Sequence, residues 1–306
     1  MNRLFLGIDT SNYTTSASVA DENGRILKNV KRPLPVAEGE RGLRQSDAVF
    51  AHIKNIPSLF EELGRVDFDY VGYSAYPRDA EGSYMPCFET GHAVASAISA
   101  VCGKECMPFS HQAGHIRAAL YSSGKDDLRY GEFLAFHVSG GTTELLHVQN
   151  GKIELVGETL DLNAGQAVDR IGVLLGLKFP CGPALEVMAG DAAAPKPKIC
   201  VKGTDCNLSG LENKAKSMIE SGEGKSVIAA YTLDFIAQTI FKMTINAREK
   251  YGNIPVIYAG GVMSNKRIRR QLEKNADTYF AAPEFSCDNA AGCALLCRDL
   301  IVDGKR

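Results

Sequence analysis

Apolar and polar positions alternate along the first part of the chain in a pattern typical of short antiparallel strands. An apolar run at residues 4–8 ends at a cluster of polar turn-forming residues, and an alternating segment follows at residues 16–20. An Asn-Gly pair at residues 23–24 precedes a third apolar segment at residues 25–27, and this pair is a strong hairpin signal. The pattern predicts a three-stranded β-meander.

The same pattern returns in the second half of the chain. Residues 133–138, 144–148 and 152–155 predict three more strands, and the spacing Ser-x-x-Thr-Thr of residues 11–15 recurs at residues 139–143. Chance is the alternative, because Gly, Ser and Thr are common in any turn. A true duplication predicts a two-lobed α/β fold of the actin-like (sugar kinase/chaperone/actin) ATPase class, in which each lobe offers one backbone-rich turn to a nucleotide's phosphates.

Helical periodicity fills the intervals between and after the two meanders. The predicted helices cover residues 46–63, 88–101, 164–175, 226–251 and 289–302. Residues 190–207, rich in Ala, Pro and Lys, predict a loop or a short excursion on the second lobe. We expect a first lobe of residues 1–125 plus 286–306 and a second lobe of residues 126–285.

Length and charge limit the function classes. The chain has 306 residues, of which 45% are hydrophobic, and this is enough for about two domains with their own cores. Its 34 basic and 36 acidic residues give a net charge of −2, which excludes attraction to nucleic acid through overall charge. A nucleic-acid partner would need a local basic patch. The densest basic cluster is formed by Lys266, Arg267, Arg269 and Arg270.

Cysteine usage and hydropathy indicate the compartment. The nine cysteines include no CxxC pair, so we expect reduced thiols and no zinc knuckle. The first residues contain no apolar signal segment, and the longest charge-free helical stretch is too short to span a bilayer. These features predict a cytoplasmic protein with no membrane partner.

Two histidines form the most specific chemical motif. His111 and His115 are spaced i and i+4, which places both imidazoles on one face of a helix, close enough to share a metal ion. The alternative is a pair of polar helix residues satisfied by water. A metallopeptidase of the HExxH type is excluded, because Gln112 stands where that motif needs a glutamate base. A metal site would need a third ligand, for which a carboxylate is the usual choice.

Asp288 is the best candidate for that third ligand. It lies at the predicted start of the last helix. From position alone, it is interpreted as first-turn charge against the helix dipole, with Ser286 as the N-cap.

A Gly-Gly pair follows a strongly apolar segment of the second lobe. Gly260 and Gly261 separate the predicted strand at residues 256–259 from a basic helix. This order lets the ring or the phosphates of a ligand approach the backbone closely, although a Gly pair can equally form a tight turn without a ligand. The four basic residues of the helix are ordinarily a solvated face, but they could also contact a phosphate backbone.

Taken together, these segments resemble the tRNA threonylcarbamoyladenosine synthase family, whose members were once misnamed glycoproteases. The resemblance covers essentially the whole chain. The matching blocks are residues 7–11, the His111/His115 pair with Gly114, residues 138–143, residues 157–161, Gly165 with Asp169, residues 182–183, residues 209–211, residues 259–262 with Asn265, and residues 288–291.

The resemblance implies the ligands of this chain. It implies that His111, His115 and Asp288 coordinate one metal ion, iron or zinc. It also implies a site for ATP or a threonylcarbamoyl adenylate, lined by His137, Val138, Ser139, Gly140, Gly141, Asp169, Gly182 and Asn265. From their own pattern, we expect Gly260 and Gly261 to belong to the same site. The implied partner is tRNA, with the basic cluster at residues 266–270 as its contact, and related protein subunits fit the same family.

The chain departs from the family pattern near the implied substrate pocket. Asn12 and Tyr13 stand where the family has acidic or small polar residues, and residues 75–83 replace a glycine-rich loop. Leu162 and Gln166 stand where bacterial members usually have Asp and Glu. Three functions stay open: threonylcarbamoyl transfer to tRNA adenosine, carbamoyl-type transfer to a small molecule by a divergent paralogue, and a non-catalytic nucleotide-binding partner subunit.

Overall fold

A computed structural model describes residues 3–11, 13–35 and 43–304, so Asn12 of the first turn lies outside the described residues. The chain divides into two compact units. Unit 1 comprises Met1–Ala118 and Cys287–Arg306, and unit 2 comprises Ala119–Ser286.

Unit 1 is built on a five-stranded mixed sheet. Its strands are β1 (Leu4–Asp9), β2 (Thr14–Asp21), β3 (Ile26–Pro33), β4 (Tyr70–Tyr76) and β5 (Glu105–Ser110), in the order β3-β2-β1-β4-β5. The first three strands pair antiparallel, which confirms the predicted meander, and β4 and β5 extend the sheet in parallel. The Asn-Gly turn forms as expected, since Gly24 has a φ of 80° and donates its N–H to Asp21.

Three helices belong to the first part of the chain. They are α1 (Gln45–Leu63), α2 (Phe88–Cys102) and α3 (His111–Ser122). Alternate residues of β1, Leu6 and Ile8, are buried together with Leu59 and Leu63 of α1 and Ala95 of α2. The strand therefore presents one apolar face to these two helices and leaves its other face for a different element.

Unit 2 repeats the sheet of unit 1. Its main strands are β6 (Glu132–Val138), β7 (Thr143–Gln149), β8 (Lys152–Glu158), β11 (Val256–Ala259) and β12 (Thr278–Phe280), in the order β12-β11-β6-β7-β8. Three antiparallel strands are again followed by two parallel ones. This shared topology confirms the predicted duplication. The segment at residues 190–207 is not entirely loop, because β9 (Cys200–Lys202) and β10 (Asp205–Asn207) pair as a small hairpin.

Helices cover the core of unit 2. They are α4 (Ala164–Leu174), α5 (Gly182–Ala189), α6 (Ser209–Glu220), α7 (Lys225–Tyr251), α8 (Lys266–Leu272) and α9 (Pro283–Ser286). The long helix α7 is buried around most of its middle part, where Phe235, Ile236 and Ile240 join the core. A helix that is apolar on nearly all sides needs partners on each of them, which explains why it packs among several shorter helices.

The chain then returns to unit 1 through α10 (Ala291–Arg298) and a π-helical turn at Asp299–Asp303. The sequence predicted a helix over roughly residues 289–302, and these two elements confirm it within two residues, although its last part is π-helical. Helix α10 packs directly on the sheet at Gly7, where a Cβ would lie 2.2 Å from the carbonyl oxygen of Ala290. Only glycine allows this backbone approach, and the approach brings the segment before α10 to the end of β1.

Candidate metal centre and nucleotide-binding turns

Helix α3 begins at the two histidines because Ser110 caps it. The Ser110 hydroxyl accepts the N–H of Ala113 at 3.1 Å and donates to Asp79 at 2.8 Å. His111 and His115 are both buried, and their rings meet edge to face with centroids 4.2 Å apart. The i, i+4 spacing therefore produces the side-by-side imidazoles that the sequence predicts.

Asp288 completes a cluster of three potential metal ligands. Its Oδ1 lies 3.5 Å from Nε2 of His111 and 3.2 Å from Nε2 of His115. The three ligand atoms all lie within 4.8 Å of one another. Asp288 is not in the first turn of α10, which starts at Ala291, and Ser286 donates to the Ala282 carbonyl instead of capping this helix. The helix-cap interpretation of these two residues was therefore wrong.

The geometry fits one small cation. Zinc–nitrogen and zinc–oxygen bonds of about 2.0–2.2 Å place the ligands of a tetrahedral ion about 3.3–3.5 Å apart. The two distances to Asp288 lie close to that range, and the bound of 4.8 Å on all three separations means that a bound ion would draw the ligands somewhat closer together. A set of two imidazoles and one carboxylate suits zinc and also non-haem iron, and three protein ligands leave coordination positions open.

Two contacts hold the helices that position this cluster. A Cβ at Gly292 would lie 1.9 Å from the carbonyl oxygen of Gly114, so α3 and α10 meet backbone to backbone beside the ligands. One turn further along, Arg117 donates to Asp299 at 2.5 Å, and both side chains are almost fully buried. Removing one partner of a buried ion pair is costly, so this pair fixes how the two helices meet.

The charges of the cluster depend on each other. Burial alone would lower the pKa of His111, but the charge of Asp9 and the bonds to Asp288 and Asp9 outweigh burial and raise it to about 10. Burial and the positive charge of His111 lower the pKa of His115. Burial opposes ionisation of Asp288, yet the bonds from both histidines hold its pKa well below the usual range. The metal-free cluster therefore pairs ionised carboxylates with a positively charged His111, and a metal ion would have to displace a proton from that imidazole to bind it.

Asp9 is a site residue that the sequence reasoning missed. It is 2% exposed, and its Oδ2 lies 3.1 Å from Nδ1 of His111. The sequence signal that could have identified it is an acidic residue at the end of an apolar strand, inside residues 7–11, which match the family pattern.

The loop that departs from the family pattern is tied to the start of α3. The Ser110–Asp79 hydrogen bond joins them, and Gln112 donates its N–H to the Pro77 carbonyl at 3.1 Å. The loop closes on itself where Arg78 donates its N–H to the Ser83 hydroxyl at 3.0 Å. The altered segment is thus an ordered neighbour of the histidine helix.

The turn after β6 combines an anchored backbone with two exposed glycines. The Ser139 N–H donates to Thr142, and the Ser139 carbonyl accepts the N–H of Gly165 at 3.1 Å. Gly140 and Gly141 are exposed, and a Cβ on either would meet nothing within 4 Å. The turn is therefore firmly held on one side and open on the other. His137 and Val138 form the last pairs of β6 before this turn.

The two glycines after β11 have different surroundings. Gly260 has a φ of 99°, and a Cβ there would lie 2.2 Å from the Val138 carbonyl oxygen. A Cβ on Gly261 would meet nothing within 4 Å. Gly260 is thus required by the packing of the backbone on β6, whereas Gly261 faces open space. Asn265 accepts the N–H groups of Arg267 and Ile268, so its side-chain oxygen caps α8.

Asp169 and Gly182, thirteen positions apart, are brought together by one hydrogen bond. Oδ1 of Asp169 accepts the N–H of Cys181 at 2.7 Å, immediately before Gly182 begins α5. Burial raises the pKa of Asp169. Asp169 lies one helical turn after Gly165, which contacts the Ser139 turn. Helix α4 therefore links the predicted nucleotide residues of the Ser139 turn to Asp169 and Gly182.

Asp161 organises the segment that precedes α4. Its carboxylate accepts the N–H groups of Leu162 and Leu208 at 2.6 and 2.7 Å and the Ser209 hydroxyl at 2.6 Å. Partial burial raises the pKa of Asp161, but these hydrogen bonds outweigh burial and lower the pKa to about 2. This aspartate holds the start of α6 against the segment that follows β8.

The basic cluster of α8 is not a uniform solvated face. Arg267 is partly buried and makes two bonds of 2.7 and 2.8 Å to Asp234, and it also donates to the carbonyls of Gly190 and Ala192. Lys266, Arg269 and Arg270 are exposed. Of the four basic residues that the sequence offers for a phosphate backbone, three are therefore exposed.

Within residues 3–11, 13–35 and 43–304, no helix combines the length and the apolar character that crossing a bilayer requires.

Comparison with known proteins identifies the relatives of this chain. The family model described as tRNA N6-adenosine threonylcarbamoyltransferase matches residues 46–295. The tRNA N6-adenosine threonylcarbamoyltransferase of Methanopyrus kandleri is 27% identical over 297 residues, which cover 94% of this chain and 84% of the relative.

Solved structures of similar fold come from several different proteins. Component A of the Acidaminococcus fermentans (R)-2-hydroxyglutaryl-CoA dehydratase has a TM-score of 0.60 at 15% identity, covering 97% of this chain and 98% of its own. A ROK family glucokinase from Streptomyces griseus has a TM-score of 0.56 at 15% identity, with coverage of 97% and 99%. HypF of T. kodakarensis has a TM-score of 0.63 at 16% identity, covering 99% of this chain but 48% of HypF. These likenesses confirm the actin-like ATPase fold.

Proposed function

The chain belongs to the tRNA N6-adenosine threonylcarbamoyltransferase family, and we propose that this transferase of tRNA modification uses one metal ion and a threonylcarbamoyl adenylate as its acyl donor. The resident metal is held by His111, His115 and Asp288. The observation that supports the proposal most strongly is the convergence of their three ligand atoms within 4.8 Å.

The turn after β6 is the proposed contact for the phosphate of the adenylate. Gly140 and Gly141 leave space for a ligand, and the ordered hydrogen bonds of Ser139 hold the turn in place before a ligand arrives. A rigid turn with open glycines lets phosphate oxygens approach backbone N–H groups closely. Gly261, Asp169 and Gly182 complete the proposed adenylate site in unit 2.

The proposed reaction is acyl transfer to an amine. The N6 amine of a tRNA adenosine attacks the carbamoyl carbonyl carbon, a carbon–nitrogen bond forms, and the bond from that carbon to the phosphate oxygen breaks. AMP leaves with the electron pair, and the amine loses a proton to solvent. A bound metal ion would supply Lewis acidity toward an oxygen that gains negative charge.

Within this chain, Asp9 and Asp288 keep the two imidazoles oriented, and the turn of Ser139 orients the donor by its phosphate. Orientation of this kind lowers the barrier because the reacting groups need not find each other by diffusion.

The acceptor tRNA would contact the exposed part of the basic cluster on α8. Lys266, Arg269 and Arg270 are exposed, and a neutral chain needs such a local patch to bind a phosphate backbone. Arg267 is outside this set because its guanidinium is partly buried and bonded to Asp234, whereas the ion pair of Arg269 with Glu273 is exposed to solvent.

A small-molecule acceptor is the second candidate, and the altered loop favours it. Residues 75–83 replace the glycine-rich loop of the family and contact the start of the histidine helix through Asp79 and Pro77. A change at this position would alter the substrate while leaving the three proposed metal ligands in place.

A transfer assay separates the two candidates. Purified protein, loaded with iron or zinc, is incubated with threonylcarbamoyl adenylate and either unmodified tRNA or a set of small amines. The proposal expects N6-threonylcarbamoyladenosine in the digested tRNA. It expects no threonylcarbamoyl product when small amines replace the tRNA. Transfer to an amine with no product in tRNA would replace the first candidate by the second.

A further inference from the structure

The first of the two duplicated turns begins with three buried residues. Asp9, Thr10 and Ser11 are each at most 2% exposed. The Thr10 hydroxyl donates to the Cys87 carbonyl and accepts the N–H of Gly91, both at 2.9 Å, so it caps the start of α2. The side chains of Asp9 and Thr10 therefore make hydrogen bonds within unit 1.

Both carboxylate oxygens of Asp9 have specific partners. Oδ1 accepts the N–H of Ser11 at 2.8 Å, and Oδ2 lies 3.1 Å from Nδ1 of His111. With Nδ1 donating to Asp9, the other ring nitrogen, Nε2, is the one that faces Asp288. Asp9 therefore selects the ring nitrogen of His111 that is offered to a metal ion.

The same turn reaches the other members of the cluster. The Ser11 hydroxyl lies 3.5 Å from Nε2 of His111, and the N–H of Tyr13 points to Oδ2 of Asp288 at 3.5 Å. One short segment thus contacts a histidine ligand on both sides of its ring and the carboxylate ligand as well.

The second copy of the turn has glycines where the first copy has side chains. Gly140 and Gly141 are exposed with open space beside them. The corresponding positions of the first copy are Asn12, which lies outside the described residues, and Tyr13, which is exposed but carries a bulky side chain. Asp9 also places a negative charge in the first turn, and a buried carboxylate repels phosphate oxygens.

We propose that the two copies have diverged in function, with the first turn a support for the metal centre and Asp9 the positioning residue for His111. Phosphate binding, which the duplication predicted for both turns, then belongs to the second turn. This inference rests on the proposed function, because it takes His111, His115 and Asp288 as the metal ligands. Carboxylates that orient a ligating imidazole typically contribute 10- to 100-fold to metal affinity.

The test measures metal and nucleotide binding separately. Asp9→Ala and Asp9→Asn are compared with Asp21→Asn, which removes another buried carboxylate of unit 1 whose partners are Arg25 and Asn23. Zinc affinity is measured by calorimetry on chelator-stripped protein, and the visible absorption of the cobalt-loaded protein reports ligand geometry. ATP affinity is measured without metal, and Gly141→Ala serves as the variant of the second turn.

The inference expects Asp9→Ala to lose roughly 10- to 100-fold in zinc affinity and to change the cobalt spectrum, while its metal-free ATP affinity stays at the wild-type value. Asp9→Asn, which keeps an acceptor for Nδ1–H, should lose less. Asp21→Asn should match the wild type in zinc affinity, and Gly141→Ala should lose ATP affinity alone.

Two results would overturn the inference while the proposed function stands. These are zinc affinity and cobalt spectra of both Asp9 variants equal to the wild type, or loss of metal-free ATP binding in Asp9→Asn. A wild-type protein that binds no metal would instead remove the proposed metal site itself.

Discussion

Nε2 of His115 lies 3.2 Å from Oδ1 of Asp288, although the two residues are 173 positions apart in the chain. Both belong to unit 1, and they are held there by the return of α10 to the first sheet. The contact links the helix that follows β5 to the segment before α10.

His115→Ala should remove most of the metal-dependent stabilisation. A ligand that binds only the folded state raises the melting temperature by mass action, so the wild type should melt higher with excess zinc or iron than with chelator. The variant should lose most of this difference, because two ligands remain. Thermal melts with and without metal measure it, with His92→Ala as the control, since His92 is an exposed histidine of the same unit. An unchanged metal-dependent shift in His115→Ala would contradict the assignment.

Gly260→Ala should lower the stability of the protein, whereas Gly261→Ala should lower its affinity for ATP. The first forces a φ near 99° on an alanine and a contact of 2.2 Å with the Val138 carbonyl, so it should cost at least about 1–2 kcal/mol of the free energy of unfolding. The second meets nothing within the protein and should fold normally but bind ATP more weakly. Chemical denaturation and calorimetry measure the two quantities. Full ATP affinity in Gly261→Ala would show that no ligand approaches this glycine.

Asp161→Asn should destabilise the protein at neutral pH and have little effect near pH 2. The folded-state pKa of Asp161 is about 2, below its ordinary value of 3.8. A lowered carboxylate pKa stabilises the fold above the unfolded value, and this stabilisation is lost as the pH falls from about 4 toward 2. Melting temperatures of both proteins across this range measure the difference. A gap that stays constant down to pH 2 would mean that the charge of Asp161 contributes nothing.

Arg267→Ala and Arg270→Ala should separate stability from tRNA binding. Loss of the two bonds to Asp234 in Arg267→Ala should cost about 2 kcal/mol of the free energy of unfolding. Arg270 is exposed, and its one ion pair of 3.8 Å to Asp191 involves a fully exposed carboxylate, so Arg270→Ala should fold like the wild type. If Arg270 contacts phosphate, this variant should reduce the slope of log affinity for tRNA against log salt by roughly one. An identical slope would place the tRNA elsewhere.

The duplicated strands and the long helices could be predicted because they depend on local patterns. The repeat of Ser-x-x-Thr-Thr and Asn-Gly signals identified two meanders, and the sheets have the same order. The hairpin at residues 200–207 was less visible, because each of its strands has three residues. Periodicity over such a short segment does not distinguish strand from loop.

The residues of the candidate site were harder to predict than the strands and helices, because the site is formed by contacts between residues far apart in the sequence. Spacing alone indicated the histidine pair, whereas Asp288 was assigned through family resemblance, since its position suggested a helix cap. Asp9 was missed because its partner His111 is 102 residues away. Arg267 was grouped with its neighbours for the same reason, as its ion pair with Asp234 spans 33 residues. No local pattern reports contacts of this kind.

Metal content and transfer rate, measured on the same preparations, test the central claim most directly. Wild type, His111→Ala and His115→Ala are purified without chelator, analysed for iron and zinc, and assayed for threonylcarbamoyl transfer from the adenylate to tRNA. The account predicts about one metal ion per wild-type chain, and transfer that is lost on chelation and restored by the metal. It also predicts neither metal nor transfer in the folded variants. Undiminished transfer by metal-free wild-type protein would contradict it.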